Sequence, residues 1–197
     1  MKILEQPSDA QALIRTVAFR LLLERADAVS DEELAAATGI RQDRLAQHLE
    51  QMERAGRIRR DETGRVVGSA GLSVTKDRHE IELDGRRFWT WCAYDILGIF
   101  RALEANGRAL SPSPAGRTIE VRFEQGLPVN SDAVLFRPDD ELMHCCENVY
   151  EEWCPNSNFF SDAEQAKTWA EERGLRGRIM DLAEGSTLGG NDWAEVM

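Results

Sequence analysis

The sequence predicts an α+β protein in which an N-terminal winged helix-turn-helix packs on a mixed core of antiparallel β-strands and helices. Apolar residues recur at helical spacing through the first 55 residues. Alternating strand patterns and tight turns appear from residue 79 onward. The 197 residues suffice for one large domain or two small ones. We therefore expect a winged-helix-like domain over residues 1–70 and an α+β core over residues 71–197.

The N-terminal region contains three predicted helices and a two-stranded wing. The first helix runs over residues 10–24, because its apolar side chains fall on one helical face. Ser30 and Glu33 form a capping box that begins a second helix, which ends before Gly39. The remaining elements are a helix at residues 42–55 and two strands at residues 56–60 and 65–68 that flank a turn.

The second region opens with a predicted hairpin and continues with an apolar helix. Residues 79–83 alternate, Asp84-Gly85 forms the turn and residues 86–89 return. The helix that follows carries Cys92 and Asp95 and runs to about Glu104. Later elements are strands at residues 117–124 and 133–136, a helix from the capping box Ser161–Glu164 to Arg173-Gly174, and a glycine-containing tail.

Charge and hydropathy exclude several classes of protein. The net charge is −11, of which residues 1–70 carry −1 and residues 71–197 carry −10, so the longer region repels nucleic acid and anionic membranes. No apolar run approaches the roughly 18 residues of a membrane span, and residues 1–7 have no signal pattern. We therefore expect a cytoplasmic protein that does not act at a membrane.

The predicted helix-turn-helix raises the alternative of DNA binding. Its third helix would then present Arg41, Gln42, Arg44 and Gln47 to the bases. A DNA-binding domain is expected to be clearly basic, whereas this region is about neutral. We expect the unit to pack on the core instead, and nucleic acid is not an expected partner.

The four cysteines are Cys92, Cys145, Cys146 and Cys154. Their even number does not indicate disulfides in a chain without an export signal. Structural zinc, with His144 as a further ligand, is disfavoured because the spacing lacks the usual cysteine pairs two to four residues apart. No glycine-rich phosphate loop is present, so a nucleotide cofactor is not expected either.

Cys92 and Asp95 are the most informative pair in the chain. Three residues apart on a helix, their side chains would share a face, with β-carbons roughly 5–6 Å apart. The flanking residues are Trp, Tyr, Ile and Leu, so the pair is expected to be buried. A buried acid tends to retain its proton, and a nearby thiol can exchange one with it. A soft ligand atom beside a proton carrier indicates chemistry on a soft electrophile.

With these motifs the chain resembles the organomercurial (alkylmercury) lyases. The resemblance rests on Trp91–Asp95, on the distal segment Trp153–Phe160, and on their order after a winged helix and the Asp84–Phe88 hairpin. It continues through the segment Ala163–Trp169 and covers nearly the whole chain from about Ala10.

The resemblance implies cofactor-free protonolysis of carbon–mercury bonds, giving a hydrocarbon and Hg(II). Cys92 and Cys154 would supply thiolates to mercury, which prefers soft ligands, and Asp95 would relay a proton to the departing carbon. Asp95 could also contact the metal. Low-molecular-weight thiols or a mercuric reductase would accept the Hg(II). The two cysteines are therefore expected to converge in space.

The sequence departs from the family at several positions. Family members often carry a further cysteine in the loop after the catalytic helix, where this chain has Ser111–Pro114. Many have a cysteine directly after the distal one, where Pro155 stands here, and the best-known members place histidines near Asn156 and Asn158. Cys145 and Cys146 are either a substitute docking site for mercury or ordinary buried residues, and the latter interpretation is favoured.

Two alternatives to the lyase remain. One is a metal- or thiol-sensing transcriptional regulator whose winged helix binds DNA. The other is a homologue that binds soft metals without turnover. The presence of Asp95 argues against the second, because binding alone requires only the thiols.

Overall fold

The computed structural model describes residues 9–129 and 131–196, which form α-helices, antiparallel strands and two short turns of other helical type. The helices and strands alternate in groups, as expected for an α+β protein. In chain order the elements are α1 (Asp9–Arg25), α2 (Asp31–Thr38), α3 (Gln42–Arg54), β1 (Ile58–Arg60), β2 (Val66–Ser69), β3 (Leu72–Ser73), β4 (His79–Leu83), β5 (Arg86–Thr90), α4 (Ala93–Leu103), β6 (Gly107–Pro112), β7 (Thr118–Glu124), β8 (Leu127–Val129), β9 (Val134–Pro138), α5 (Asp140–Cys145), β10 (Asn158–Phe160), α6 (Ala163–Glu172), β11 (Gly177–Asp181) and α7 (Leu182–Trp193).

The N-terminal helices begin and end where their capping residues require. The Ser30 side chain accepts the backbone N–H of Glu33, whose carboxylate accepts the Ser30 N–H in return. Gly39 ends α2 in the left-handed conformation. One face of α3 is buried through Leu45 and Leu49. The predicted helices and wing strands are thus present to within two residues at each end, while their assignment as a winged helix stays a prediction.

A single eight-stranded antiparallel sheet connects the two regions of the chain. Its order is β1-β2-β3-β5-β4-β6-β7-β8. Strands β2 and β3 pair through Gly68 with Ser73 and Ser69 with Leu72, across a turn at Ala70-Gly71. The division at residue 70 stays a prediction, and the sheet continues through it.

A second, three-stranded sheet supports the distal segment of the chain. Its order is β10-β9-β11, and both pairs are antiparallel. Helix α6 covers it through Ala166 and Ala170, which pack with Phe136 and Phe160 in a small apolar cluster. The N-cap of α6 is Asp162 rather than the predicted Ser161, because the Asp162 carboxylate accepts the backbone N–H at the third helical position.

Helices α4 and α7 form the centre of the molecule. Residues 93–100 of α4 are all buried. Gly189 of α7 packs so closely that a β-carbon there would lie 2.9 Å from the Cα of Gly98 in α4. The glycines of α7 lower its helix propensity by about 1 kcal/mol each, so the sequence pattern does not predict a helix there, and the tight packing on α4 explains why one forms. Within residues 9–129 and 131–196, no helix combines the length and apolar character that a membrane crossing requires.

We expect Gly189→Ala to lower the free energy of unfolding by about 1–3 kcal/mol, because the added methyl group meets the backbone of α4 and cannot be accommodated by a rotamer change. Gly190→Ala is the matched control, since its β-carbon would meet only the flexible Arg101 side chain. Urea denaturation of both variants provides the measurement. Equal stability of the two would contradict the packing explanation.

Candidate active site

Cys92 stands at the start of α4 as its N-cap, one residue before the helix. Its backbone is extended, with φ −146° and ψ 170°. The Asp95 N–H donates to the Cys92 sulfur at 3.4 Å, and the Cys92 N–H donates to Asp95 Oδ2 at 2.8 Å. The expectation that both residues share a helical face is therefore wrong for Cys92, because a side chain that accepts a hydrogen bond from the third helical position must lie outside the helix. The two side chains still meet, through a capping box.

Cys154 lies where a π-helical turn, Val149–Trp153, passes into the 3-10 turn Cys154–Asn156. The segment is fastened to the start of α4 just downstream of the thiol. The Ser157 carbonyl accepts the Ala93 N–H at 3.1 Å, and its hydroxyl accepts the Tyr94 N–H at 3.3 Å. These bonds satisfy two N–H groups that a helix N-terminus leaves open. The distal cysteine is thereby held against the helix that Cys92 caps.

The structure brings Cys92, Asp95 and Cys154 together. One ligand atom from each residue lies within 4.8 Å of the other two, although Cys154 follows Cys92 by 62 positions. Their exposed fractions are 0%, 5% and 3% respectively. The three side chains therefore form a compact, nearly dry cluster of two soft ligands and one proton carrier.

Burial determines the protonation of this cluster. Removal from water raises the pKa of Asp95 to about 7, although its hydrogen bonds with Cys92 oppose the shift. Burial likewise raises the pKa of Cys92. The pKa of Cys154 is raised well above its ordinary value, first by its hydrogen bond with Cys92 and then by burial. Both thiols are consequently protonated at rest, and Asp95 can exchange a proton near neutral pH.

A cavity of about 420 Å³ reaches this cluster and exposes Asp95 and Cys154 to a ligand. Its lining includes aromatic side chains together with charged ones such as Arg137 and Asp192. Tyr94 makes edge contacts with Trp153 and Trp193, at centroid distances of 6.2 and 5.6 Å. The Tyr94 hydroxyl donates to Asp192 at 2.6 Å, which fixes the ring. The aromatic part of this lining suits an apolar organic group whose reactive atom lies at the thiols.

The turn at Ala70-Gly71 covers Asp95. Gly71 has φ +84°, and a β-carbon on it would lie 2.5 Å from Asp95 Oδ1. The Gly71 carbonyl accepts the Trp91 N–H at 3.1 Å, and the Ala70 carbonyl accepts the Trp193 indole N–H at 3.0 Å. The sequence gives no signal for this role beyond the glycine itself, because the contact is between segments far apart in the chain.

The other candidate residues lie outside the cluster. Cys145 is exposed and Cys146 is buried, with its thiol donating to the Met143 carbonyl at 3.1 Å. His144 lines the cavity without being grouped with the thiols. Arg41, which is the N-cap of α3, and Gln42, Arg44 and Gln47 within it are exposed, whereas Leu45 and Leu49 of the same helix are buried. The N-terminal region instead contacts the cavity through Arg15, Gly56 and Arg57.

Two buried thiols beside an acid whose pKa lies near 7 are the groups expected in an enzyme that binds a soft metal and transfers a proton. Comparison with known proteins agrees with this class. The family model described as "Alkylmercury lyase" matches residues 72–195. This chain belongs to the alkylmercury lyase family.

Curated relatives and a solved structure are similar over most of the chain. The alkylmercury lyase of Pseudomonas putida is 32% identical over 170 residues, which cover 83% of this chain and 75% of that protein. The alkylmercury lyase of Bacillus cereus is 30% identical over 183 residues, covering 87% and 78%. The crystal structure of the mercury-bound form of MerB2 matches with a TM-score of 0.83 and 25% identity, covering 98% of this chain and 93% of that one.

We expect Gly71→Ala to reduce cleavage of phenylmercury about 10–100-fold, because the methyl group displaces the Asp95 carboxyl group from the thiols. The matched control is Gly85→Ala, at φ +81° and with nothing within 4 Å of its β-carbon. Both substitutions place a side chain at a similar positive φ, so a difference in steady-state rate reports on the contact with Asp95. Equal rates in the two variants would show that the turn merely closes the sheet.

Proposed function

We propose that this chain is an organomercurial lyase in which Cys92 and Cys154 bind mercury and Asp95 transfers the proton that releases the hydrocarbon. The observation that supports this proposal best is the approach of the three ligand atoms to within 4.8 Å of one another. Two sulfurs can hold one mercury atom only if both reach a common point. The aromatic cavity beside them accommodates the organic group.

The two cysteines, Asp95 and the thiolate ligand of the substrate account for every proton and bond in the reaction. An organomercurial thiolate, R–Hg–SR′, exchanges its SR′ ligand for the first cysteine, and that cysteine's proton leaves with R′SH. The second cysteine then binds mercury, and its proton passes to the Asp95 carboxylate. The carbon–mercury bond breaks with its electron pair on carbon, which takes the proton from Asp95. The products are RH, R′SH and Hg(II) held by two thiolates.

The raised pKa values suit this sequence of proton transfers. Binding of a thiol to mercury releases its proton, because the thiolate is the metal ligand. A carboxylate whose pKa burial has raised to about 7 is a good acceptor for that proton and a good donor to carbon. Glu147, Glu151 and Glu152, which precede Cys154, are all exposed, whereas Asp95 is buried beside both thiols.

No oxidation or reduction occurs in this scheme, so the proposal includes no cofactor. The chain ends each cycle with mercury on two buried thiolates, and a soft ligand must remove it. Small thiols or a mercuric reductase would perform this step, and a reducing compartment such as the cytoplasm would keep the four free cysteines reduced. These partners and this location belong to the proposal.

We include the N-terminal region in the proposal as a winged-helix unit that forms one wall of the cavity. Arg15, Gly56 and Arg57 line that cavity, and the Ser69 hydroxyl donates to the Arg15 carbonyl at 2.9 Å. The polar face of α3 is exposed, which keeps the regulator alternative testable. Tight, sequence-selective binding in a gel-shift assay would favour that alternative, whereas the net charge of −11 predicts weak binding at physiological salt.

Serine substitution at either thiol tests the ligands. We expect Cys92→Ser and Cys154→Ser to abolish turnover while the protein stays folded, because serine is close in size but is a hard, poor ligand for mercury. The assay supplies phenylmercury and excess thiol and measures benzene and Hg(II). Cys146→Ser is the matched control, being another buried thiol outside the cluster. Full activity in Cys154→Ser would refute the assignment of the distal ligand.

The Asp95→Asn variant distinguishes cleavage of the carbon–mercury bond from binding of the organomercurial. Asparagine can still accept the Cys92 N–H but cannot deliver a proton, so we expect benzene release to fall about 10²–10⁴-fold. Binding of phenylmercury by the two thiols should persist, as followed by mass spectrometry of the intact complex. Unchanged benzene release would show that another group donates the proton and that Asp95 only caps the helix.

A further inference from the structure

Arg78 connects the two segments that carry the thiols. It lies between β3 and β4, and its guanidinium group donates in two directions. Nη1 donates to the Trp91 carbonyl at 3.0 Å, and Nη2 donates to the Tyr150 carbonyl at 3.1 Å. Trp91 directly precedes Cys92, and Tyr150 lies in the π-helical turn that leads into Cys154. One planar group therefore bridges the two chain segments whose separation determines the distance between the sulfurs.

The guanidinium group is itself held in place from several sides. It stacks on the Tyr150 ring at 4.2 Å from the centroid, and Arg59 stacks on the same ring at 4.4 Å. The Tyr150 hydroxyl donates to Asp77 at 3.2 Å, and Arg59 pairs with the same carboxylate. The Asp77 side chain is 1% exposed. Trp91 makes an edge contact with Tyr150 at a centroid distance of 5.6 Å, so the cluster spans both segments.

We propose that Arg78 is a positioning residue that holds Cys92 and Cys154 at the separation required for both sulfurs to bind one mercury atom. This inference rests on the proposed function. Ser157 fastens the Cys154 segment to α4 downstream of the thiol, and Arg78 fastens the same segment upstream. Arginine suits the task because its rigid fork offers several donors in one plane, whereas a lysine ammonium is a compact point charge on a flexible stem.

The positive charge of Arg78 opposes the rise in the pKa of Asp95 and of Cys154, but its hydrogen bonds go to the backbone. Its donors bind backbone carbonyls, and Arg78 does not line the cavity. Loss of the Arg78 side chain should therefore weaken the second mercury–sulfur bond more than the first. Only the second bond requires the Cys92 and Cys154 segments to be held at the correct separation. Outer groups that orient metal ligands typically contribute 10–100-fold to metal affinity or activity.

The test compares Arg78→Met and Arg78→Lys with Arg59→Met, all with Cys145 and Cys146 replaced by serine. Arg59 stacks on the same ring and belongs to the same cluster but donates to neither carbonyl. One equivalent of HgCl₂ is added, and X-ray absorption counts the sulfur atoms bound to mercury. We expect two in the parent protein and in Arg59→Met, and a mixture with a single-sulfur species in both Arg78 variants. With phenylmercury, kcat should fall about 10–100-fold in the Arg78 variants while KM changes little.

Two-sulfur binding with kcat within about twofold of the parent protein in both Arg78 variants would overturn the proposal, as would an equal loss in Arg59→Met. Thermal unfolding checks each variant, and Arg78→Lys decides the question if Arg78→Met does not fold. Failure of the parent protein to release benzene would refute the proposed function alone, because the sulfur count still reports on the role of Arg78.

Discussion

The N-terminus of α4 is the constraint on which the site depends. A helix start leaves backbone N–H groups without partners, and in a buried position these groups must be satisfied by other atoms. Here the reactive groups themselves supply the partners, because Cys92 and Asp95 cap the helix reciprocally and Ser157 takes the next two N–H groups. The hydrogen bonds that complete the start of α4 therefore also hold the thiol, the acid and the distal segment together.

The same constraint explains the electrostatics. The Asp95 carboxyl group, which caps a buried helix start, is largely removed from water, so it retains its proton at higher pH than an ordinary aspartate. The thiols share this environment and hold their protons as well. With both thiols protonated, Asp95 is the one group of the three that is partly ionised near neutral pH, and its carboxylate form can accept a thiol proton. Arrival of a cationic metal then removes protons from groups that are close enough to pass them on.

The sequence predicted features that depend on residues close together in the chain, and it did not predict contacts between distant segments. Hairpin turns, capping boxes and apolar periodicity predicted most of the elements, because these signals arise between residues a few positions apart. The resemblance to the lyases identified Cys92, Asp95 and Cys154, which the structure brings together. Gly71 and Arg78 could not be found this way, because their contacts lie with segments distant in the chain. Helix α7 was missed because its glycines oppose helix formation locally and serve only the close packing on α4.

The cover over Asp95 comes from the turn at Ala70-Gly71, which joins strands from the two regions of the chain. The matched family region begins at residue 72, immediately after that turn. Part of the cover over the acid is therefore supplied by residues outside the segment by which the family is recognised. Any shortened or chimeric version that begins at the family boundary would carry all three reactive groups and yet leave the proton donor open to water.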